Sequence, residues 1–137
     1  MSHVSNPNPN PGKQGKYVPE GPGSSPYVTA VGGAQPSSGY PKPGSESGVG
    51  LSSGGFSSYW SMPSWQATAV GTYLTTTKDL PPSKVGYNTS GRAYPDISAE
   101  AVNFCVTPFG CGVAGTSCAT PTASGVFALL NDLRLQV

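Results

Sequence analysis

The segment from Ala119 to Leu133 constrains the chain most, because Ala119, Ala123, Val126, Phe127, Leu130 and Leu133 recur there at helical spacing. Such a stripe predicts an amphipathic helix that buries one face against a sheet or another helix. Pro121 falls early, in the first turn, where no intrahelical donor is lost. Ala123, Ser124 and Gly125 are small, so the helix is expected to lie close to a sheet. Directly ahead stands Gly115-Thr116-Ser117-Cys118, which sets a serine at the mouth of the helix.

Upstream, short β-branched and turn-rich stretches alternate. Tyr27 to Val31 reads as a buried strand stopped by Gly32-Gly33, and Gln35 to Ser47 reads as a surface loop. Ser52 to Ser58 suggests a glycine-kinked strand or loop. Pro63-Ser64 offers a helix start, with Trp65, Ala69, Tyr73 and Leu74 as its apolar stripe, and Pro81-Pro82 ends it. Tyr94-Pro95-Asp96-Ile97 reads as a turn leading into a strand, and Ala101 to Val106 as one hairpin arm with Pro108 to Gly112 at its tip. Strands alternating with helices point to the α/β class. Residues 1–23, rich in Asn, Pro and Gly, read as a disordered arm, leaving 24–137 as the folded part.

Composition narrows the function classes. The chain has 19 Gly and 15 Pro but only seven Lys plus Arg and six Asp plus Glu, with a net charge of +1. Low charge with ordinary apolar content is not the signature of a disordered chain, and suggests many tight turns. There is no basic or acidic run, so nucleic acid and membrane surfaces have no electrostatic support as partners. No apolar stretch is long enough to span a bilayer, and residues 1–15 lack the apolar core of a secretory signal.

A serine at a helix mouth has three chemical advantages. Unpaired backbone N–H groups and the positive dipole end favour the negative charge of a tetrahedral intermediate. Gly115 admits a substrate backbone without Cβ interference. A closely packed helix behind Ser117 holds its hydroxyl ready for attack. The bland alternative is a helix cap, a common role for Ser and Thr.

Gly115-Thr116-Ser117-Cys118-Ala119-Thr120-Pro121 resembles the serine signature shared by subtilisin-like folds. Further blocks follow the same order as in the sedolisin family, the serine-carboxyl peptidases similar to tripeptidyl-peptidase I. They are Ser24 to Gly33, Ser53-Gly54-Gly55-Phe56-Ser57, Pro63-Ser64-Trp65-Gln66, Gly91 to Ala99, and Phe127 to Asp132. A subtilisin-type serine protease fragment is the rival. That family usually has a histidine after the proline, where this chain has Thr122, and the only histidine is His3.

The resemblance implies a subtilisin-like α/β fold with a mostly parallel sheet and flanking helices, present as an incomplete C-terminal portion. It implies Ser117 as nucleophile in acyl-enzyme hydrolysis of peptides or unfolded proteins at acidic pH, by an endopeptidase or a tripeptidyl-peptidase. The family activates its serine with a glutamate backed by an aspartate, and a protonated aspartate completes its oxyanion hole. None of these three has a counterpart here, so the chain alone is expected to be inactive. A non-catalytic remnant or degenerate paralogue, and a small secreted binding module, are the other functional readings. The family's calcium site is expected beyond Val137, with no cofactor in this chain, and a secreted or lysosomal/vacuolar location is implied.

Other residues receive plainer readings. Glu20, Glu46 and Glu100 do not sit in the family motif, and Glu100 reads as a solvated strand-end carboxylate. Asp96 is expected to cap backbone N–H groups. Cys105 and Cys111 bracket the hairpin tip, so a bridge there is one of two readings. Cys118 is read as buried packing, with a cysteine nucleophile as the alternative. Asn88-Thr89-Ser90 is a glycosylation sequon, and Trp60 and Trp65 read as core or cleft wall.

Overall fold

The computed structural model describes residues 21–37, 44–78, 80 and 86–136. Most of the expected arm over 1–23 lies outside these residues, as do His3 and Glu20; Gly21 to Gly23 form turns. The fold divides into two compact units, the described parts of Val31–Ser52 with Ile97–Val137 and of Ser2–Ala30 with Ser53–Asp96.

The first unit holds strands β1 (Val31–Pro36) and β2 (Glu46–Gly48). Residues 53–96 belong to the second unit, so the third strand of this sheet comes after them. Elements β3 (Gly55–Ser61) and β4 (Gly91–Tyr94) belong to the second unit, and β5 (Ile97–Glu100) returns to the first. The sheet order is β2-β1-β5. β1 pairs antiparallel with β2, and parallel with β5, Val31 opposite Ile97 and Ala34 opposite Glu100. A parallel pair needs a long connection, and residues 53–96 supply it. A hairpin of β6 (Phe104–Val106) and β7 (Gly110–Val113) follows, and helix α2 (Thr116–Leu135) packs on β1 and β5.

Val49, Ala101 and Ala119 form the core of this unit, flanked by Val31, Ala99 and Val102. The packing is close enough to require glycine at 33. A β-carbon there would lie 2.8 Å from both the Ala101 β-carbon and Val49 Cγ1. Gly33 N also donates to Ser52 Oγ at 2.9 Å, and its carbonyl accepts from Val49 N at 3.2 Å, which ties residues 49–52 onto β1.

In the second unit β3 pairs antiparallel with β4, and a short 3-10 turn (Ser64–Gln66) leads into α1 (Ala67–Thr76). Gln66 behaves as a strand neighbour to β4. Its Nε2 donates to the Ala93 carbonyl at 2.7 Å, and Ala93 N donates to its Oε1 at 3.1 Å. Phe56 is buried and stacks on Tyr87 with ring centroids 5.7 Å apart.

Several expectations are corrected by this arrangement. The mostly parallel sheet is not what the described strands form. Three of their four pairings are antiparallel; the short connections of β1–β2 and β6–β7 allow no other arrangement, while β3 and β4 are joined through α1. The strand expected at Tyr27–Val31 begins at Val31 instead. Ahead of it, Arg92 and Asp96 capture the backbone of residues 25–30 and leave no ladder to join. The loop expected over Gln35–Ser47 contains the end of β1 and the start of β2; its middle, 38–43, lies outside the described residues. Of the stripe expected for α1, Tyr73 and Leu74 are partly buried and Val70 joins them, with Gln66 of the preceding 3-10 turn buried, while Trp65 is 64% exposed and Ala69 is exposed. Trp60 is also exposed and meets Tyr27 edge to face at 5.5 Å, so neither tryptophan lies in a core. The turn at Tyr94–Ile97 and the hairpin after Ala101 form as expected.

Candidate active site

Helix α2 begins at Thr116, three residues before its apolar period, so Ser117 stands in the first turn with its side chain exposed. Pro121 is then the sixth helical residue rather than a first-turn residue. Lacking an N–H, it leaves the Ser117 carbonyl without the donor four residues on. The seat beneath the serine is made of small side chains. Ala119 is wholly buried and Ala123 nearly so, and these are the buried residues of the helix.

Two backbone bonds fix the approach to the helix. Gly115 N donates to the Ala101 carbonyl at 2.8 Å, and Cys118 N donates to the Gly115 carbonyl at 2.9 Å. The first bond closes the neck of the β6–β7 hairpin, because Ala101 precedes β6 and Gly115 follows β7. The hairpin's other end is closed by a Cys105–Cys111 disulfide, the bridged one of the two readings, with Phe109 81% exposed at the tip.

Gly115 is extended, with φ 160° and ψ 155°. An added β-carbon would meet Ser117 N at 3.6 Å and Ser117 Oγ at 3.9 Å, ordinary van der Waals distances. The fold itself therefore tolerates a side chain here. What the glycine leaves open is the space over the hydroxyl and over the N–H groups of Thr116 and Ser117, the first two of the helix, which have no acceptor one turn back within it. A developing oxyanion could use those groups.

No side chain among the described residues hydrogen-bonds Ser117 Oγ, so no described residue stands beside it as a base. Glu100 ends β5 opposite Ala34 and is half-buried, less solvated than expected. Glu46 is exposed and accepts from Gly44 N at 2.9 Å. The Cys118 thiol is free and half-buried, so the expectation of buried packing holds only in part.

In the second unit Asp96 caps backbone as expected, and does more. Its Oδ2 accepts from Ala30 N at 2.7 Å and from Arg92 Nη2 at 2.6 Å, and its Oδ1 from Gln66 Nε2 at 3.3 Å. Sequence reasoning missed Arg92, which is fully buried; an arginine four residues before an aspartate was the available signal. Asn88 is exposed, its Oδ1 accepting from Ser90 N and its Nδ2 donating to the Ser57 carbonyl.

An exposed serine after Gly-Thr, at the start of a helix seated on a parallel strand pair, has the form of a subtilisin-like serine-peptidase nucleophile. The chain belongs to the subtilase family, whose model matches residues 3–136. It is 40% identical over 129 residues to tripeptidyl-peptidase 1 of Rattus norvegicus, covering 88% of this chain and 22% of that protein. The human tripeptidyl-peptidase 1 is 38% identical over the same length, with the same coverage. A probable tripeptidyl-peptidase SED2 of Arthroderma benhamiae is 39% identical over 123 residues, 88% of this chain and 19% of that protein. These relatives bear out the sedolisin resemblance. The chain spans about a fifth of the length of the relatives it matches.

Proposed function

We propose that this chain is the nucleophile-bearing part of a sedolisin-type serine peptidase acting on peptides or unfolded proteins at acidic pH. Ser117 Oγ attacks the peptide carbonyl carbon, and its proton passes to a carboxylate supplied from outside the matched stretch. The tetrahedral intermediate collapses with cleavage of the C–N bond, and the departing nitrogen takes the proton back from that carboxyl to leave as the amine. Water then hydrolyses the acyl-serine ester. First-turn N–H groups of α2 stabilise the oxyanion, joined by a protonated carboxyl from the same outside source. Opposed protonation needs of the two carboxyls restrict the reaction to acidic pH.

The observation that carries this reading is the exposed Ser117 hydroxyl in the first turn of α2, beneath the space that Gly115 leaves open. The names of the relatives favour release of tripeptides, and we extend to this chain the secreted or lysosomal/vacuolar location that its resemblance implies. The complete mostly parallel sheet belongs to the assembled domain. Among the described residues no three His, Cys, Asp or Glu side chains gather to hold a metal, so they do not fit the family's calcium site, and no step is routed through calcium.

A fluorophosphonate probe tests the reading at about pH 4, near the carboxylate titration range. The chain is mixed with rat tripeptidyl-peptidase 1 from which the matched stretch has been deleted. Ser117 should carry the adduct in the mixture and not in the chain alone, and Ser117→Ala should carry none. An assembled but unlabelled Ser117 defeats the proposal and favours a non-catalytic remnant, the reading that the absence of a base beside Ser117 among the described residues supports.

A further inference from the structure

We infer that Phe109, at the tip of the β6–β7 hairpin, holds the leaving portion of a polypeptide substrate about six residues past the bond that Ser117 attacks. The hairpin and Ser117 belong to one unit and are continuous in the chain. Only Ala114, Gly115 and Thr116 stand between the end of β7 and the serine. β1 and β5 run in parallel, and the hairpin starts just past the carboxyl end of β5. In open α/β sheets that is the end at which ligands bind. The arm therefore stands on the rim of the candidate site rather than behind it.

The arm is held at both ends, by the Gly115–Ala101 backbone bond at its neck and by the Cys105–Cys111 disulfide near its tip. Phe109 stands exposed there, and a β-carbon added at Gly110 or Gly112 would meet nothing within 4 Å. An aromatic ring on so stiff a mount loses little freedom when it meets a partner. From Ala101 to Gly115 no side chain is charged, and among the described residues no third strand pairs with β6 or β7. Exposed strand edges are ordinarily guarded by charges, and an unguarded edge accepts an extended chain. The occupant is thus an extended polypeptide with an apolar side chain for the ring, which is the chemistry of an unfolded substrate. Phe109 and Gly115 are six residues apart. That is about 20 Å of strand, which an extended substrate covers in about six residues. Release of tripeptides, favoured by the names of the relatives, leaves three residues on the acyl side. A contact six residues away therefore falls on the leaving side.

The inference rests on the peptidase reading and adds to it the part of the substrate that is held. The full chain is assembled with rat tripeptidyl-peptidase 1 from which the matched stretch has been deleted. Two fluorogenic peptides with the same first residues are compared, one about five residues long and one about twelve, the longer with leucine near the sixth leaving-side position. Phe109→Ala should lower the ratio of their kcat/KM values, long over short, about fivefold or more, and through KM rather than kcat. Phe109→Leu should keep most of the ratio, because the contact is apolar. The side chain is exposed, so both variants should keep the circular-dichroism helix signal. An unchanged ratio in Phe109→Ala would overturn the inference, whether the ring is idle or covered by another segment. If the unaltered assembly cleaves neither peptide, it is the peptidase reading that has failed. Fluorescence anisotropy of the labelled longer peptide on the assembled Ser117→Ala chain then decides. Binding weakened about fivefold by Phe109→Ala supports the contact, and unaltered or undetectable binding ends it.

Discussion

Replacing Arg92 by methionine should loosen the capture of residues 25–30 more than any other single change in the second unit. The guanidinium is wholly buried and fully engaged. Nε donates to the Ser25 carbonyl at 3.1 Å, Nη2 to the Val28 carbonyl at 2.9 Å and to Asp96 Oδ2 at 2.6 Å, and Nη1 to the Ala93 carbonyl. Methionine keeps much of the stem volume but removes every donor. Asp96, with its side chain 13% exposed, then keeps only the Ala30 N–H and the Gln66 amide. Breaking a buried ion pair from one side costs about 3–5 kcal/mol, and the orphaned carbonyls fall within that range rather than adding to it. The assay is amide exchange at Ala30 and Asp96, whose N–H groups are bonded to Asp96 Oδ2 and the Ala30 carbonyl respectively. Both should exchange about a hundredfold to several-thousandfold faster, or reach the unprotected rate, while β1–β5 amides change little. Arg92→Lys should fall between, because one ammonium cannot reach the Ser25 and Val28 carbonyls and Asp96 in the same fork geometry. If the methionine variant holds both amides within about threefold, under 1 kcal/mol, the network is not what fixes this segment.

Three further outcomes are expected. Replacing Cys105 and Cys111 by serine removes a crosslink spanning six residues, worth about 2 kcal/mol by chain entropy; chymotryptic cleavage after the exposed Phe109 should accelerate about tenfold or more, and unchanged cleavage would count against the staple. The Tyr73 phenol is held above its ordinary value by burial first and by Tyr87 second. An unfolded tyrosine ionises first as pH rises, so the stabilisation is complete below about pH 10 and drains away above it; urea midpoints at about pH 9 and 10.5 should differ less in Tyr73→Phe. Gly115→Ala should leave the unfolding free energy from urea titration within about 0.5 kcal/mol while slowing phosphonate labelling of the assembled Ser117, and equal labelling rates would show that the open space is idle.

Helix α2 and the serine at its start were legible because both rest on local signals, an apolar period and a short motif. Strand β5 and the hairpin were legible from punctuation by Pro95, Pro108 and the glycines around the hairpin tip. The failures at Tyr27–Ala30 and at the start of α1 share a cause, which is that a distant group took over or engaged backbone that local pattern would assign elsewhere. Tyr27 to Ala30 has strand composition, yet Arg92 and Asp96, more than sixty residues away in sequence, hold its carbonyls and amide. Trp65 and Ala69 sit at helical spacing, yet Gln66 turns inward because its amide completes the β4 ladder. The burial of α2 was overestimated for a different reason: periodicity identifies a face to be covered but not whether the cover lies within the same stretch of chain.

The glycines separate what this fold requires from what its chemistry requires. At Gly33, Gly54 and Gly91 a β-carbon would collide with the protein itself, meeting Ala101 and Val49, the Tyr94 carbonyl at 2.7 Å, and the Ser57 carbonyl respectively. Those positions are explained by packing alone. Gly115 is different, since its backbone is extended in a way any residue can adopt and its missing side chain would touch only Ser117 at ordinary distance. A glycine that the fold does not need, standing over a hydroxyl at the positive end of a twenty-residue helix, is best understood by what must approach from outside. Under the proposed function that visitor is the backbone of a substrate peptide.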